Sequence, residues 1–183
     1  LWPAFTNVPN EFLEAYFPLR IVTYETIPDS GGPGLHRGGN GLSMGYQFLE
    51  PGEISIHDDR WLTHPWGVNG GLPGQRSNKL MVRADGKNEW MKSKCDRIKV
   101  SAGDTLYFNT WGGGGWGDPL ERDAEKVSLD VQRGLVSVEG AGRYGVALQS
   151  DLSVDETATV NLRRQMGAER GKVDLFNFGG TVE

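Results

Sequence analysis

Nineteen of the chain's 27 glycines fall between Gly31 and Gly117, and four stand in a row between Trp111 and Trp116. Glycine is thereby at about twice its usual share of roughly 7%. Ordering a glycine costs about 0.5–1 kcal/mol more than ordering an alanine. A folded chain this rich in glycine therefore needs backbone conformations, or backbone approaches, that a Cβ would forbid. The nine prolines are skewed the same way, all lying at or before Pro119. The chain changes character near Asp118-Pro119, with short strands and tight glycine turns before it and helices after it.

Local patterning fills in that outline. Phe12, Leu13, Tyr16 and Phe17 sit at helical spacing, and Pro18 ends the segment. Arg20–Thr26 is rich in β-branched and aromatic residues and reads as a strand, and Leu42–Leu49, Glu53–His57, Lys79–Arg83, Arg97–Val100 and Thr105–Thr110 read as strands too. Ala84-Asp85-Gly86-Lys87 carries a hairpin signal. Two long loops, Pro28–Gly41 and Pro65–Gly74, are dense in residues that tolerate positive φ. Beyond Pro119, Asp123 is placed to cap a helix over Ala124–Arg133 with Gly134 after its end, and Ser137 to cap a short turn up to Arg143. Ser153-Val154-Asp155-Glu156 reads as a capping box for a helix to Met166, closed by Gly167. Past Arg170 the pattern predicts a loose or partner-bound end. Short strands at this spacing predict an α+β, mainly β fold: a sandwich or barrel-like body, then a short helical tail. The expected divisions are 1–18 as a lead-in from a cut end, 19–118 as the β-rich body and 119–183 as a helical extension.

Charge and composition exclude several classes. The 183 residues carry 19 Lys and Arg against 24 Asp and Glu, a net charge of −5. An acidic chain suits neither general nucleic-acid binding nor an anionic membrane, and no apolar run is long enough to span a bilayer. The single Cys95 excludes a disulfide framework and a multi-cysteine zinc site, and fits a reducing, cytoplasmic setting. Its basic surroundings, Lys92, Lys94 and Arg97, allow either an activated thiolate or an ordinary buried thiol. Among His36, His57 and His64, the run His57-Asp58-Asp59 with nearby His64 could offer metal ligands, but at a spacing that matches no defensible site. These histidines read equally as surface or hydrogen-bonded side chains. The tetraglycine segment admits two readings: amides approaching a ligand or another chain, even as an anion-binding nest, or a tight backbone crossing. Arg76–Lys99 holds eight basic residues against three acidic ones, which suits an acidic or phosphorylated partner or simply a solvated face. No Gly-x-Ser-x-Gly motif and no phosphate-binding Gly-rich Lys-Ser/Thr loop is present.

Taken in order, Tyr16-Phe17-Pro18-Leu19-Arg20, Pro28-Asp29-Ser30-Gly31-Gly32-Pro33-Gly34, Arg37-Gly38-Gly39-x-Gly41, Asp59-Arg60, Pro65-Trp66-Gly67, Gly70-Gly71-x-Pro73-Gly74, Gly112 to Asp123 and Gly134-Leu135-Val136-Ser137 resemble the C-terminal part of the hydantoinase B/oxoprolinase family. The resemblance runs from about Phe5 to Leu148 and leaves 149–183 uncovered. It implies an ATP-dependent cyclic-amide hydrolase such as an N-methylhydantoinase or a 5-oxoprolinase, with acetone and acetophenone carboxylases as relatives. A hydantoinase A-like partner would use ATP with magnesium to phosphorylate a small-molecule substrate, and the B-type subunit would complete the reaction. The family's divalent metal would sit in the N-terminal portion of the B-type subunit, outside this chain, and no metal is assigned here. His57 and His64 depart from the family pattern, and Trp111 and Trp116 make the glycine loop more aromatic than usual.

On these grounds the chain is expected to be a C-terminal fragment or small subunit of such a hydrolase, inactive alone, with the remainder of the B-type subunit and the A-like subunit as partners. A ketone carboxylase subunit and a non-catalytic, jelly-roll-like assembly module are the alternatives. Candidate site residues are Asp29, His36, Arg37, Asp59 and Arg60. Arg37 and Arg60 are chosen for anion or phosphate contact, because a guanidinium binds bidentately and stays charged. Gly112, Gly113, Gly114, Gly115, Trp116 and Asp118 form the candidate ligand or interface loop. Asp59 and Asp118 would orient the arginines, or serve as a strand end and a helix cap.

Overall fold

The computed structural model describes residues 8–180; Leu1-Trp2-Pro3 and Phe5 lie outside the described residues. In chain order the strands are β1 Leu19–Thr26, β2 Leu42–Phe48, β3 Gly52–His57, β4 Gly67–Val68, β5 Asn78–Val82, β6 Asn88–Trp90, β7 Lys94–Val100, β8 Thr105–Asn109 and β9 Phe176–Asn177. The helices are α1 Asn10–Tyr16, α2 Ala124–Gln132, α3 Val138–Ala141 and α4 Glu156–Glu169. The fold is α+β, as the patterning predicts. The chain divides into two compact units, each visited three times.

The first unit comprises the stretch up to Glu25, Ser43–Asp58 and Asn78–Phe108. A five-stranded sheet runs in the order β1-β2-β8-β5-β6, and β3 pairs with β7 in a separate antiparallel ribbon. Phe48, Ile56, Met81, Met91, Val100 and Leu106, drawn from both sheets, share one core, so the arrangement is a small sandwich. Each such side chain, fully buried, contributes about 1.5–3 kcal/mol. Alternation along β5 turns Lys79 inward beside Met81. The buried Lys79 ammonium is ion-paired with Asp58 and lies 4.9 Å from the Phe108 ring centroid. The hairpin between β5 and β6 turns at Gly86, where φ is +84°. Strand β7 starts at Lys94 rather than Arg97, because a register shift between Ile54 and Ile56 lets the ladder continue to His57.

The second unit comprises Thr26–Leu42, Asp59–Ser77 and Asn109–Glu183. Val127, Val131, Val136, Ala141, Tyr144, Val146 and Val154 make its apolar core. Asp123 and Ser137 cap α2 and α3 as expected, accepting from the amides of Glu125 and Gly140. Gly134 follows α2 at φ +69°. Three expectations fail. The α4 cap is Asp155, which accepts from Ala158 N–H, because the Ser153 amide and hydroxyl are both held by Asp151. The helix also runs through Gly167 to Glu169, where the next residue, Arg170, is anchored to Asp118. The segment beyond Arg170 is not loose: β9 pairs antiparallel with β4.

Candidate functional site

Three loops of the second unit are woven together: Pro28–Gly41, Pro65–Gly74 and Trp111–Pro119. Backbone hydrogen bonds cross between all three. Gly32 N–H donates to Gly113 O at 2.8 Å, Leu72 N–H to Pro33 O at 2.7 Å and Val68 N–H to Gly115 O at 2.9 Å. His36 and Trp116 exchange a pair at 2.9 and 3.0 Å. The tetraglycine segment runs through the middle of this weave. A Cβ on Gly112 would fall on the Ser30 carbonyl, one on Gly114 on the Trp66 carbonyl, and one on Gly115 on the Pro33 carbonyl. The amides of Gly112, Gly113 and Gly115 donate to Gln75, Gly39 and Leu72 carbonyls. Backbone crossing thus accounts for these glycines, and three of the four amides are committed within the weave.

Each candidate side chain has a place in this frame. Asp29, at φ +61°, accepts from Ser137 N–H at 3.0 Å, ahead of α3. Its carboxylate fills the space a Cβ on Gly140 would need. Arg37 is largely buried and donates to Asp130 at 3.3 Å, Asn40 Oδ1 at 2.7 Å and Gly38 O at 2.8 Å. Asp118 caps the 3-10 turn Pro119–Glu121 by accepting from Leu120 N–H at 2.8 Å. It also takes both guanidinium nitrogens of Arg170. That guanidinium, first, and the Leu120 amide outweigh burial and hold the Asp118 carboxyl below the usual carboxylate range. Exposed His36 lies against Trp116, ring centroids 5.5 Å apart. Arg60, at φ +56°, sits 5.7 Å from the Trp66 ring centroid. Asp59 is exposed, and its carbonyl accepts from the Ser77 hydroxyl. Exposed His36 and Trp116 thus lie together, and half-buried Arg60 sits by exposed Trp66, while Asp29, Arg37 and Asp118 are tied to the helical part.

Some key residues were not legible in the sequence. Asp130 of α2 joins Arg37 to Arg122, whose Nη2 donates to the same carboxylate oxygen at 2.8 Å. A separation of 93 positions between Arg37 and Asp130 leaves no local pattern. Trp66 packs edge-on against Phe178 at 5.1 Å and Phe176 at 6.4 Å, an aromatic cluster that remains about half exposed. The Phe-Asn-Phe alternation at 176–178 is the one available signal for it.

The remaining sequence candidates resolve locally. His57 contacts Asp96 at 3.0 Å, and His64 Nδ1 contacts the Gly74 carbonyl at 2.8 Å. Among the described residues no three His, Cys, Asp or Glu side chains group in a way that could hold a metal ion, so the residues present do not fit a metal centre. Burial, then the charge of Asp96, pushes the Cys95 thiol up, against the activated-thiolate reading. The basic stretch is partly internally paired, Arg83 with Glu89 and Asp104 and Lys87 with Asp85. Among the described residues no helix is long and apolar enough to cross a membrane.

Comparison with known proteins agrees with the glycine weave. Residues 1–119 match the family model for hydantoinase B/oxoprolinase. The caprolactamase subunit beta of Pseudomonas jessenii is 33% identical over 155 residues, 81% of this chain and 26% of that one. The crystal structure of the ATP-dependent caprolactamase from the same organism superposes with a TM-score of 0.71 at 28% identity, covering 87% of this chain and 28% of that chain. 5-oxoprolinase 1 of Arabidopsis thaliana is 35% identical over 110 residues, 60% of this chain and 9% of that one. A nucleotide-free acetone carboxylase shares the fold, with a TM-score of 0.76 at 22% identity over 94% of this chain and 28% of that one. The chain spans a little over a quarter of the length of the first curated relatives it matches. With the family model covering well over half of its residues, the chain belongs to the hydantoinase B/oxoprolinase family.

Proposed function

We propose that this chain is the glycine-weave portion of an ATP-dependent cyclic-amide hydrolase of the hydantoinase/oxoprolinase type, and that it acts in a cytoplasmic complex rather than alone. The observation that carries the reading is the likeness to an ATP-dependent caprolactamase, across 87% of the chain, of a fold whose family-matched glycines are required by backbone crossing. In that complex a hydantoinase A-like subunit uses ATP with magnesium, and the remainder of the B-type subunit holds the divalent metal. ATP supplies activation of the amide carbonyl by phosphorylation.

This chain's own residues then bind and position. The woven loops present His36 and Trp116 on exposed positions, with exposed Asp59 and half-buried Arg60 in the segment just before the second loop, where they contact the substrate-bearing parts of the complex. Arg60 is the better anion contact of the two arginines, because Arg37 is ion-paired with Asp130 and also serves Asn40 and Gly38, whereas Arg60 donates to the His64 carbonyl. Asp29, Arg37 and Asp118 are positioning residues that hold the loops to α2, α3 and the segment after α4.

Reconstitution tests the reading. The 183-residue chain would be combined with the upstream part of a B-type subunit and an A-type subunit, and assayed on hydantoin, 5-oxoproline and caprolactam. The expected result is ring opening that needs ATP, needs this chain and does not need bicarbonate. ATP-dependent fixation of bicarbonate onto a ketone by the same assembly would replace the hydrolase with a carboxylase. Full ring opening without this chain would remove it from the reaction.

A further inference from the structure

A cleft of about 330 Å³ lies wholly within the second unit, between the 3-10 turn at Pro119, α4 and the segment that follows it. This volume lies in the range of small-molecule sites. Its apolar lining includes Leu72, Leu120, Met166 and Val173, and Arg143 and Lys172 also line it. Arg170 lines it too, but its charge is taken up by Asp118. Asp174 is the acidic lining residue, and its carbonyl accepts from Gly70 N–H at 3.1 Å. Among the described residues neither Arg143 nor Lys172 has a carboxylate partner; Arg143 donates to the Asp29 carbonyl at 3.2 Å. With Arg170 neutralised by Asp118, the cleft keeps one positive charge after Asp174 is counted. Lys172 is exposed and Arg143 half-buried, and the net positive charge left beside this apolar lining attracts an anionic ligand.

We infer that this cleft binds a small aliphatic monocarboxylate, its carboxylate at Arg143 and Lys172 and its hydrocarbon part against Leu72, Leu120, Met166 and Val173. The site is distinct from Arg60 and His36, and it stands or falls separately from the hydrolase reading. Seating a ligand there also secures the segment after α4. Val173 meets the space above Gly70, and Asn69 N–H donates to Leu175 O at 2.6 Å.

The test uses the full 183-residue chain, ¹⁵N-labelled and titrated with sodium pentanoate, with acetate and pentan-1-ol as controls at constant ionic strength. Pentanoate is expected to shift the amides of Gly70, Gly71 and Val173 saturably, with a Kd in the range of about 0.1–10 mM for so small a ligand. Acetate should bind about tenfold or more weakly, for lack of hydrocarbon. Lys172→Gln, at an exposed position that leaves the fold intact, should weaken pentanoate binding about fivefold or more. Absence of saturable shifts would overturn the inference, as would equal response to pentan-1-ol or unchanged affinity in Lys172→Gln. Ring-opening activity is not part of the readout, so failure of the hydrolase reading leaves the result interpretable.

Discussion

Lys79 occupies an inward position on β5 that alternation assigns to an apolar residue, and it is fully buried. Burial pushes its ammonium down to about 8, with Cys95 opposing that shift, and the Asp58 carboxylate is its ion-pair partner. Removing one member of such a pair strands a buried charge. Lys79→Met alone should therefore destabilise the chain by about 3–5 kcal/mol, whereas Lys79→Met with Asp58→Leu should return it to within about 2 kcal/mol of the parent. Urea denaturation of the three proteins reads this directly, and equal losses in single and double variants would refute it. Asp104 shows the opposite logic. Burial raises its carboxyl, but the Ser101 and Ala84 amides and the Arg83 guanidinium outweigh that and leave it below the usual range. Its folded pKa is below the unfolded value of about 3.9, so its stabilisation is present above pH 4 and fades as pH falls through the folded pKa. Asp104→Asn should cost about 1–3 kcal/mol at pH 7. The stability gap to the parent should narrow towards pH 3, and a gap that widens on acidification would contradict this.

At the scale of elements, the glycine loops are the test case. Gly115 has the Pro33 carbonyl where its Cβ would be, whereas nothing lies within 4 Å of a Cβ on Gly39, in the same weave and without positive φ. Gly115→Ala should cost at least about 1–3 kcal/mol, the usual range for overpacking. Gly39→Ala should stay within about 0.5 kcal/mol, as surface changes do. Thermal unfolding of both would show it, and similar Tm values would deny that crossing is why these glycines are there. The α4 cap teaches a related point. Ser153 fits a capping box by spacing, yet Asp151 claims it first, and Asp155 takes over. Local motifs compete for the same donors, and spacing does not say which wins.

At the scale of the whole molecule, each unit is assembled from three separated stretches of chain. Within the second unit, Asp29 depends on Ser137 and Arg37 on Asp130. Cutting the chain after Pro119, at the end of the family-matched segment, should therefore leave residues 26–42 without their anchors. Hydrogen exchange should show those amides protected in the 183-residue chain and unprotected after truncation. Protection that survives the cut would mean the glycine weave stands without the helices. The sheet order β1-β2-β8-β5-β6 also sets β2 beside β8, some sixty residues later in sequence. Such non-local pairing places refolding in the slow regime of about milliseconds to seconds.

The sequence by itself determined the α+β class, the β-to-helix change near Pro119, the caps at Asp123 and Ser137, the hairpin turn at Gly86 and the family. All of these rest on local signals or on an ordered set of glycine motifs, because turn, cap and strand preferences act within a few residues. Only the tertiary structure decided that Gly112, Gly114 and Gly115 mark backbone crossings, since the carbonyls they clear belong to loops tens of residues away. It also decided that Arg37 serves Asp130, that Lys79 is buried on Asp58, and that Phe176 and Phe178 come to Trp66. Those outcomes depend on which distant segments meet, and a charge or a ring carries no record of its partner until the chain has closed around it.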